Sequence, residues 1–357
     1  MRSTFTQLAS IATALVVSLS STTAQSVVSI TSDKDATLYE STNGSLANGA
    51  GRGMFVGKVG FNGGYKKRRA IVHWDIAGAI PAGSRILAVS LDMWSEQSAA
   101  FLPVDTDVHR VLANWTEGST IAAGNGGMGG PSSNGSVTWI HRSYPNQFWN
   151  SAGGDFAATP TFTFPMPGIG AVQTPSNDAI VADVQDMLDN PANNFGWLFK
   201  KGEVLNSTAN RLNTREAPAL LPKIVVTYLA PGQTGTYGTG WPVGTGTFQL
   251  DISGTASGGS VLPITYSNAP SPSIGVNFFS LDINLTGTPL LPASLLYLPL
   301  SGVLIPGATI LTAGGVSGST FTVPSGFPGY LIVVQAAVLD NNALSFSMSN
   351  AGVMLTQ

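Results

Sequence analysis

The stretch RRAIVHWDI (68–76), followed after a break rich in Gly, Pro and Ser by RILAVSLDMW (85–94), decides the fold. Both are short β-rich runs. Similar runs occur at Ala36 to Glu40, Gly53 to Gly57, Val104 to Ala113 and Lys223 to Tyr228, each set off by clusters of Gly, Pro, Asn and Ser. Recurrent short strands with this punctuation predict a β-sandwich or jelly roll. One segment departs from the pattern. From Asp178 to Asp189, Ile180, Val181, Val184, Met187 and Leu188 recur at helical spacing and Asn190-Pro191 follows, which predicts one inserted amphipathic helix. Its carboxylates Asp183 and Asp186, at i and i+3, could pair for acid–base work but are expected on the solvated face.

Charge divides the chain. Residues 1 to 228 hold all 16 basic and 16 of the 19 acidic residues, whereas 229 to 357 hold only Asp251, Asp282 and Asp340. The second unit also reads as all-β. Phe248, Leu250 and Ile252 alternate with polar neighbours, as do Phe279, Leu281, Ile283 and Leu285. Gly329 to Leu339 is a continuous apolar run expected as a central strand, and turns are expected at Asp340-Asn341-Asn342 and Ser349-Asn350-Ala351-Gly352. The expectation is therefore an all-β protein of two jelly-roll-like β-sandwich domains, residues 26–230 and 246–357. A Gly, Pro and Thr-rich linker without packing of its own is expected at 231–245.

Overall composition narrows the function classes. Only 10% of the 357 residues are charged, against roughly 25% in an ordinary soluble domain, and the net charge is −3. Such a balance gives no basic field to hold nucleic acid. With no cysteine, disulfides, thiolate metal sites and Cys nucleophiles are excluded. Residues 1–25 begin with Arg2, continue through an apolar stretch around Leu8 to Leu19 and end in small residues near Ala24, the layout of a signal peptide. Secretion or display at the cell surface is expected, with no transmembrane segment in the mature chain. Five N-x-S/T triplets, beginning at Asn43, Asn114, Asn134, Asn206 and Asn284, are too easily formed in this composition to carry weight.

Several stretches in order resemble one family: DATLYE (35–40), RRAIVHWDI (68–76), VHRVLANWTEG (108–118), TWIHRSYP (138–145), GGDF (153–156), VADVQDMLDNPANNFGWLF (181–199) and NRLNTRE (210–216). This is similar to the secreted DNRLRE-motif module family, named for Asp-Asn-Arg-Leu-Arg-Glu and classed among carbohydrate-binding modules. The resemblance covers residues 30 to 230 and implies a β-sandwich that binds polysaccharide. Here Asn213-Thr214 interrupts the motif between Leu212 and Arg215. More loosely, Val334 to Gln357 resembles terminal domains of exported bacterial proteins.

Familiar catalytic signatures are missing. His73, His109 and His141 form no HExxH motif, and no G-x-S-x-G elbow occurs. The GNGGMG run at 124–129 is followed by GPSS where a dinucleotide fold needs a helix N-terminus, so it reads as a loop. Asp33 with Asp35, and Asp105 with Asp107, stand at strand spacing. They suit surface capping, a structural calcium ion at Asp33 and Asp35, or paired carboxylate catalysis. In an extended segment Arg211, Asn213 and Arg215 would share one face, able to read acidic sugars or to form internal ion pairs with Glu216. Lys66, Lys67 and Arg68, which with Arg69 make the only basic run, could add to that site or form a solvated loop end. Trp74, Trp94 and Trp197 lie in apolar runs and read as core. Trp115, Tyr144 and Trp149, beside polar loops, could stack sugar rings or close the ends of the sandwich.

Together these readings lead to an exported, non-catalytic polysaccharide-binding protein, directed at acidic glycans, whose weakly charged second unit serves attachment or self-association. A structural protein of the envelope or matrix is the alternative, and a polysaccharide lyase or glycosidase the second.

Overall fold

The computed structural model describes residues 25–291, 294–302, 305–312, 317–340 and 345–357. The leader expected at 1–25 lies outside them except for Gln25. Strands dominate, and among the described residues the two α-helices are Ile76–Ala79 and Asp178–Asp189. The all-β expectation is met. Among the described residues, no helix is long and apolar enough to cross a membrane.

In the first unit, antiparallel strands form one continuous path: Ser26–Thr31, Lys223–Leu229, Arg85–Ser98, Asn210–Asn213, Gly53–Lys58, Lys67–His73, Trp197–Lys201, Val104–Arg110, Phe162–Met166. Two more strands lie off this path. Gly170–Gln173 adds to strand 85–98, and Lys34–Tyr39 to strand 67–73. Strand 53–58 makes the path curl. Its residues 53 to 56 pair with strand 210–213, while Gly57 and Lys58 pair with strand 67–73. Gly57 sits at the crossover with φ of 115°, and a Cβ there would meet Thr208 O at 2.7 Å. Only glycine accepts both conditions.

The curled sheet closes on a core in which alternation is explicit. In strand 85–98, Val89, Leu91 and Met93 are buried while Ser90, Asp92 and Trp94 are half-buried. Trp74 and Trp197 meet edge to face at 5.8 Å, so both belong to the core as expected, whereas Trp94, expected there too, is half-buried on the opposite face of its strand from Leu91 and Met93. The helix covers one side. Asn177 caps it by accepting from Ala179 N and Ile180 N, and all five predicted apolar positions are buried. Asp186 is exposed as expected, whereas Asp183 is half-buried and accepts from Trp197 Nε1 at 2.9 Å and Thr161 Oγ1 at 2.6 Å; both pair with Arg110.

A second apolar cluster lies on the other face of strands 34–39, 67–73 and 197–201. Ala36, Leu38, Ile71 and Leu198 pack there with Trp115, Trp139 and Trp149 from the long segment after strand 104–110. Sheet residues on both faces are thus covered, which accounts for near-continuous burial in strands 34–39 and 67–73.

The second unit packs a five-stranded sheet, Thr234–Tyr237, Ser345–Leu355, Leu331–Asp340, Ser273–Ser280 and Ile305–Thr312, against a three-stranded one, Gln249–Ile252, Val261–Ser267 and Ser317–Thr322. Strand 331–340 is internal, as its apolar run predicts. Three local expectations are corrected. Residues Thr234–Tyr237 of the expected linker form a strand on residues 351 to 354, and Leu87 and Leu229 share an apolar cluster with Leu331 and Val333 of the second unit. The alternation from Phe279 to Leu285 does not continue as strand past Ser280. There Asp282 N donates to Ser280 Oγ and Ile283 N to Asp282 Oδ1, so local side chains replace the ladder.

The expected turn at 349–352 is instead a bulge within strand 345–355. Residues 349 and 350 stand against Ala336 alone. Ser349 Oγ accepts from Ala336 N, while buried Asn350 accepts from Leu250 N at 2.6 Å and donates to Leu250 O at 3.0 Å. The amide side chain therefore supplies the hydrogen bonds of a missing neighbour and ties the two sheets together. The turn expected after Asp340 falls largely outside the described residues.

Candidate functional site

The polar stripe of the resemblance motif does not form one exposed face. Strand 210–213 ends at Asn213, and each side chain finds its own internal partner. Arg211 pairs with Glu96 and donates from Nε to Asn125 O at 3.1 Å. Asn213 is buried and donates to Ala219 O at 3.0 Å. Arg215 leaves the strand direction because Thr214 Oγ1 donates to Gly51 O and Arg215 N to Asp35 Oδ2. Its guanidinium then bridges Glu117 and Glu216. The inserted Asn213-Thr214 thus turns the chain, and the internal ion pairs are the reading the structure favours over sugar contact.

The basic run is similarly engaged. Arg68 is buried over the Tyr39 ring, 4.8 Å from its centroid, and burial lowers its pKa from the ordinary value. Lys67 stands 3.8 Å from Glu203, while Lys66 is exposed. Arg69, the last residue of the run, is the most fully engaged. Its guanidinium grips Glu203 through two bonds of 2.7 and 3.0 Å, donates to Gly153 O and lies over Trp139. Burial pushes the Glu203 carboxyl up, but Arg69, through both its hydrogen bond and its charge, leaves it below the usual range.

The aromatic platform expected from the sequence is also corrected. Trp115 donates to Phe195 O and Trp149 to Thr138 O, with both rings buried; Tyr144 is half-buried edge-on to His141. These rings close the long loops over the sheet. With the faces of Trp115 and Trp149 buried, these two indoles are closed to sugar stacking, while Tyr144 stays half-buried.

Asp33 and Asp35 do not act as the pair expected for calcium. Asp33 meets His73 Nδ1 at 2.5 Å; burial raises its pKa, but the hydrogen bond and charge of His73 bring it below the ordinary value. Asp35 is fully buried in different company. One oxygen from each of Asp35, Glu117 and Glu216 lies within 4.8 Å of the others. Burial, reinforced by the charges of Glu216 and Glu117, pushes the Asp35 carboxyl up to about 7. Neither glutamate was selected from the sequence as a metal ligand. The signal available was their place in NWTEG and at the end of the resemblance motif.

One open cleft, of about 630 Å³, lies where strands 104–110 and 197–201 run side by side. Asp105, Asp107, Lys200 and Glu203 line it together with Val204 and Leu205, two strongly exposed apolar side chains. Lys200 pairs in register with Asp107, and its ammonium lies 5.1 Å from the centroid of Phe156. Asp107 accepts from Thr163 Oγ1 at 2.7 Å. Asp105 and Asp107 thus share a face, as their spacing predicts, in a groove where carboxylates outnumber ammonium groups. In the second unit a separate groove of about 430 Å³ is lined by apolar side chains, among them Phe278, Leu296, Leu300, Phe346 and Met348.

No family model matches the chain, and no curated protein matches its sequence.

Proposed function

We propose that the chain is an exported, non-catalytic polysaccharide-binding protein whose ligand lies in the cleft over strands 104–110 and 197–201. The observation that carries this reading is the cleft itself: carboxylates and one ammonium group beside exposed Val204 and Leu205. Sugar hydroxyls can donate to Asp105 and Asp107 and accept from Lys200, while the apolar lip packs on the less polar face of a ring. Asp107 and Glu203 are held by Thr163 and Arg69 before a ligand arrives, which lowers the cost of ordering the site on binding. An acidic glycan fits poorly. Its carboxylates would face Asp105, Asp107 and Glu203, and the arginines expected to receive them are tied to Glu96, Glu117 and Glu216. Neutral or amino sugars suit this charge pattern.

The test is a glycan-binding screen of the mature chain beside Asp107→Asn and Lys200→Met. Neutral or amino glycans should bind, and either substitution should weaken them. Binding that ignores both changes would place the ligand elsewhere. No binding at all would favour a structural envelope role, and new reducing ends would favour a glycosidase.

A further inference from the structure

Three carboxylates from distant parts of the chain converge at the start of strand 34–39. Their oxygens can be followed one by one. Asp35 Oδ2 accepts from Ser32 Oγ and Arg215 N, each at 2.9 Å. Glu117 Oε1 accepts from Asp35 N at 2.8 Å and Arg215 Nε at 3.0 Å, and its Oε2 faces Arg215 Nη2. Glu216 Oε1 lies 3.0 Å from the same Nη2. Two oxygens remain, Asp35 Oδ1 and Glu216 Oε2. Both are buried, and neither meets a donor among the described residues.

The Asp35 side chain is 0% exposed, so bulk water does not satisfy its unpartnered oxygen. Leaving a buried acceptor unpaired costs roughly 1–3 kcal/mol, and more when it is charged. The surrounding charge does not remove the problem. The Arg215 guanidinium is shared by Glu117 and Glu216 and only its backbone N–H reaches Asp35, while the other nearby cation, Lys34, directs Nζ to Trp115 O and the Trp115 ring. The donor set is made only of hard oxygens, which suits Ca²⁺ or Mg²⁺ over softer metals. One oxygen from each carboxylate lies within 4.8 Å of the others, close enough for all three to reach one ion at about 2.3–2.6 Å, and the flexible, variable coordination of Ca²⁺ suits an irregular all-carboxylate set better than the near-ideal octahedron and retained waters of Mg²⁺.

We propose that Asp35, Glu117 and Glu216 hold one Ca²⁺ ion, with Arg215 positioning the two glutamates. The ion would join the start of strand 34–39, the segment after strand 104–110 and the turn after strand 210–213. It is independent of the glycan cleft, which uses none of these residues.

Isothermal titration of chelator-treated full chain with CaCl2, paired with thermal melting in Ca²⁺ and in chelator, tests this directly. One ion per chain and a higher melting temperature in Ca²⁺ are expected. Glu216→Gln should weaken Ca²⁺ by at least the roughly tenfold that even outer partners of metal ligands cost. Asp33→Asn should leave it unchanged. Asp35→Asn should remove binding; if that variant does not fold, Glu216→Gln supplies the decisive comparison. Absence of Ca²⁺ heat with identical melting in both media, or Ca²⁺ affinity unaltered in Glu216→Gln, would overturn the proposal.

Discussion

Replacing Lys201 by methionine should stabilise the first unit. The side chain follows Trp197 and Phe199 along the same face of strand 197–201 and is 0% exposed. Its ammonium meets Asn210 Oδ1 and has no ion-pair partner among the described residues. Burial lowers its pKa from 10.5 to about 8. Because the folded pKa lies below the unfolded one, the unfolded chain binds more protons between these values. Stability therefore rises with pH from about 8 to 10.5, and the full penalty is present below 8. At about 1.4 kcal/mol for each pK unit, the ceiling is about 3 kcal/mol, which polar relaxation around Asn210 reduces to about 1–3 kcal/mol. Methionine leaves no acceptor stranded, since Ser98 Oγ still donates to Asn210 Oδ1 at 3.1 Å. Urea unfolding followed by tryptophan fluorescence reports this unit, which holds six of the seven Trp. The wild-type deficit relative to Lys201→Met should be constant below pH 8 and shrink toward pH 9.5. A variant less stable than wild type at pH 7, or a difference independent of pH, would refute buried charge as the cause.

Arg69→Met should destabilise the first unit by about 3 kcal/mol in urea unfolding, because it leaves the Glu203 carboxylate partly buried without its two-bond partner. Arg211→Ala should lower stability by no more than about 1 kcal/mol, since its Glu96 partner is exposed, and glycan affinity should be unchanged. Trp149→Phe should cost roughly 1 kcal/mol through loss of the Thr138 hydrogen bond, with calorimetric glycan binding intact. Phe346→Ser should reduce any concentration-dependent association of the full chain seen by sedimentation, because residue 346 lines the apolar groove of a unit with three Asp and no cation. Equal sedimentation of both chains at every concentration would remove self-association through that groove.

Periodicity carried the local architecture far. Ile180, Val181, Val184, Met187 and Leu188 specify a helix because their spacing puts them on one face, and all five are buried. The run from Leu331 to Val338 specifies an internal strand because apolar clusters lie on both its faces. Ser349-Asn350 misled because the residue types that favour a turn also replace backbone partners at a bulge. The site was less legible for a different reason. Arg69 meets Glu203 across 134 positions and Arg215 meets Glu117 across 98, through strand neighbours that no local spacing encodes. Asp35 was recognisable as a candidate ligand, but its companions were not, because they arrive from the segment after strand 104–110 and from the turn after strand 210–213.

That long-range pairing changes how the charge asymmetry of the chain bears on recognition. All 16 basic residues lie before residue 229, beside 16 of the 19 acidic ones, so any contact with an anionic polymer through Lys or Arg would have to come from the first unit. Yet Lys67, Arg69, Arg85, Arg110, Arg211 and Arg215 each face a carboxylate, and Arg68 is covered by Tyr39. A guanidinium already held by a carboxylate must lose that contact before it can receive another, so its gross attraction for a second anion is offset by the bond it gives up. The charges consequently organise the fold: Arg110 anchors the helix, Arg69 a cleft wall, and Arg215 the three-carboxylate cluster. What remains on the open floor is Asp105, Asp107 and Lys200 beside an apolar lip. Recognition through those groups would select for hydroxyl geometry and ring shape over net charge, which is the reason for proposing a neutral or amino sugar over an acidic one.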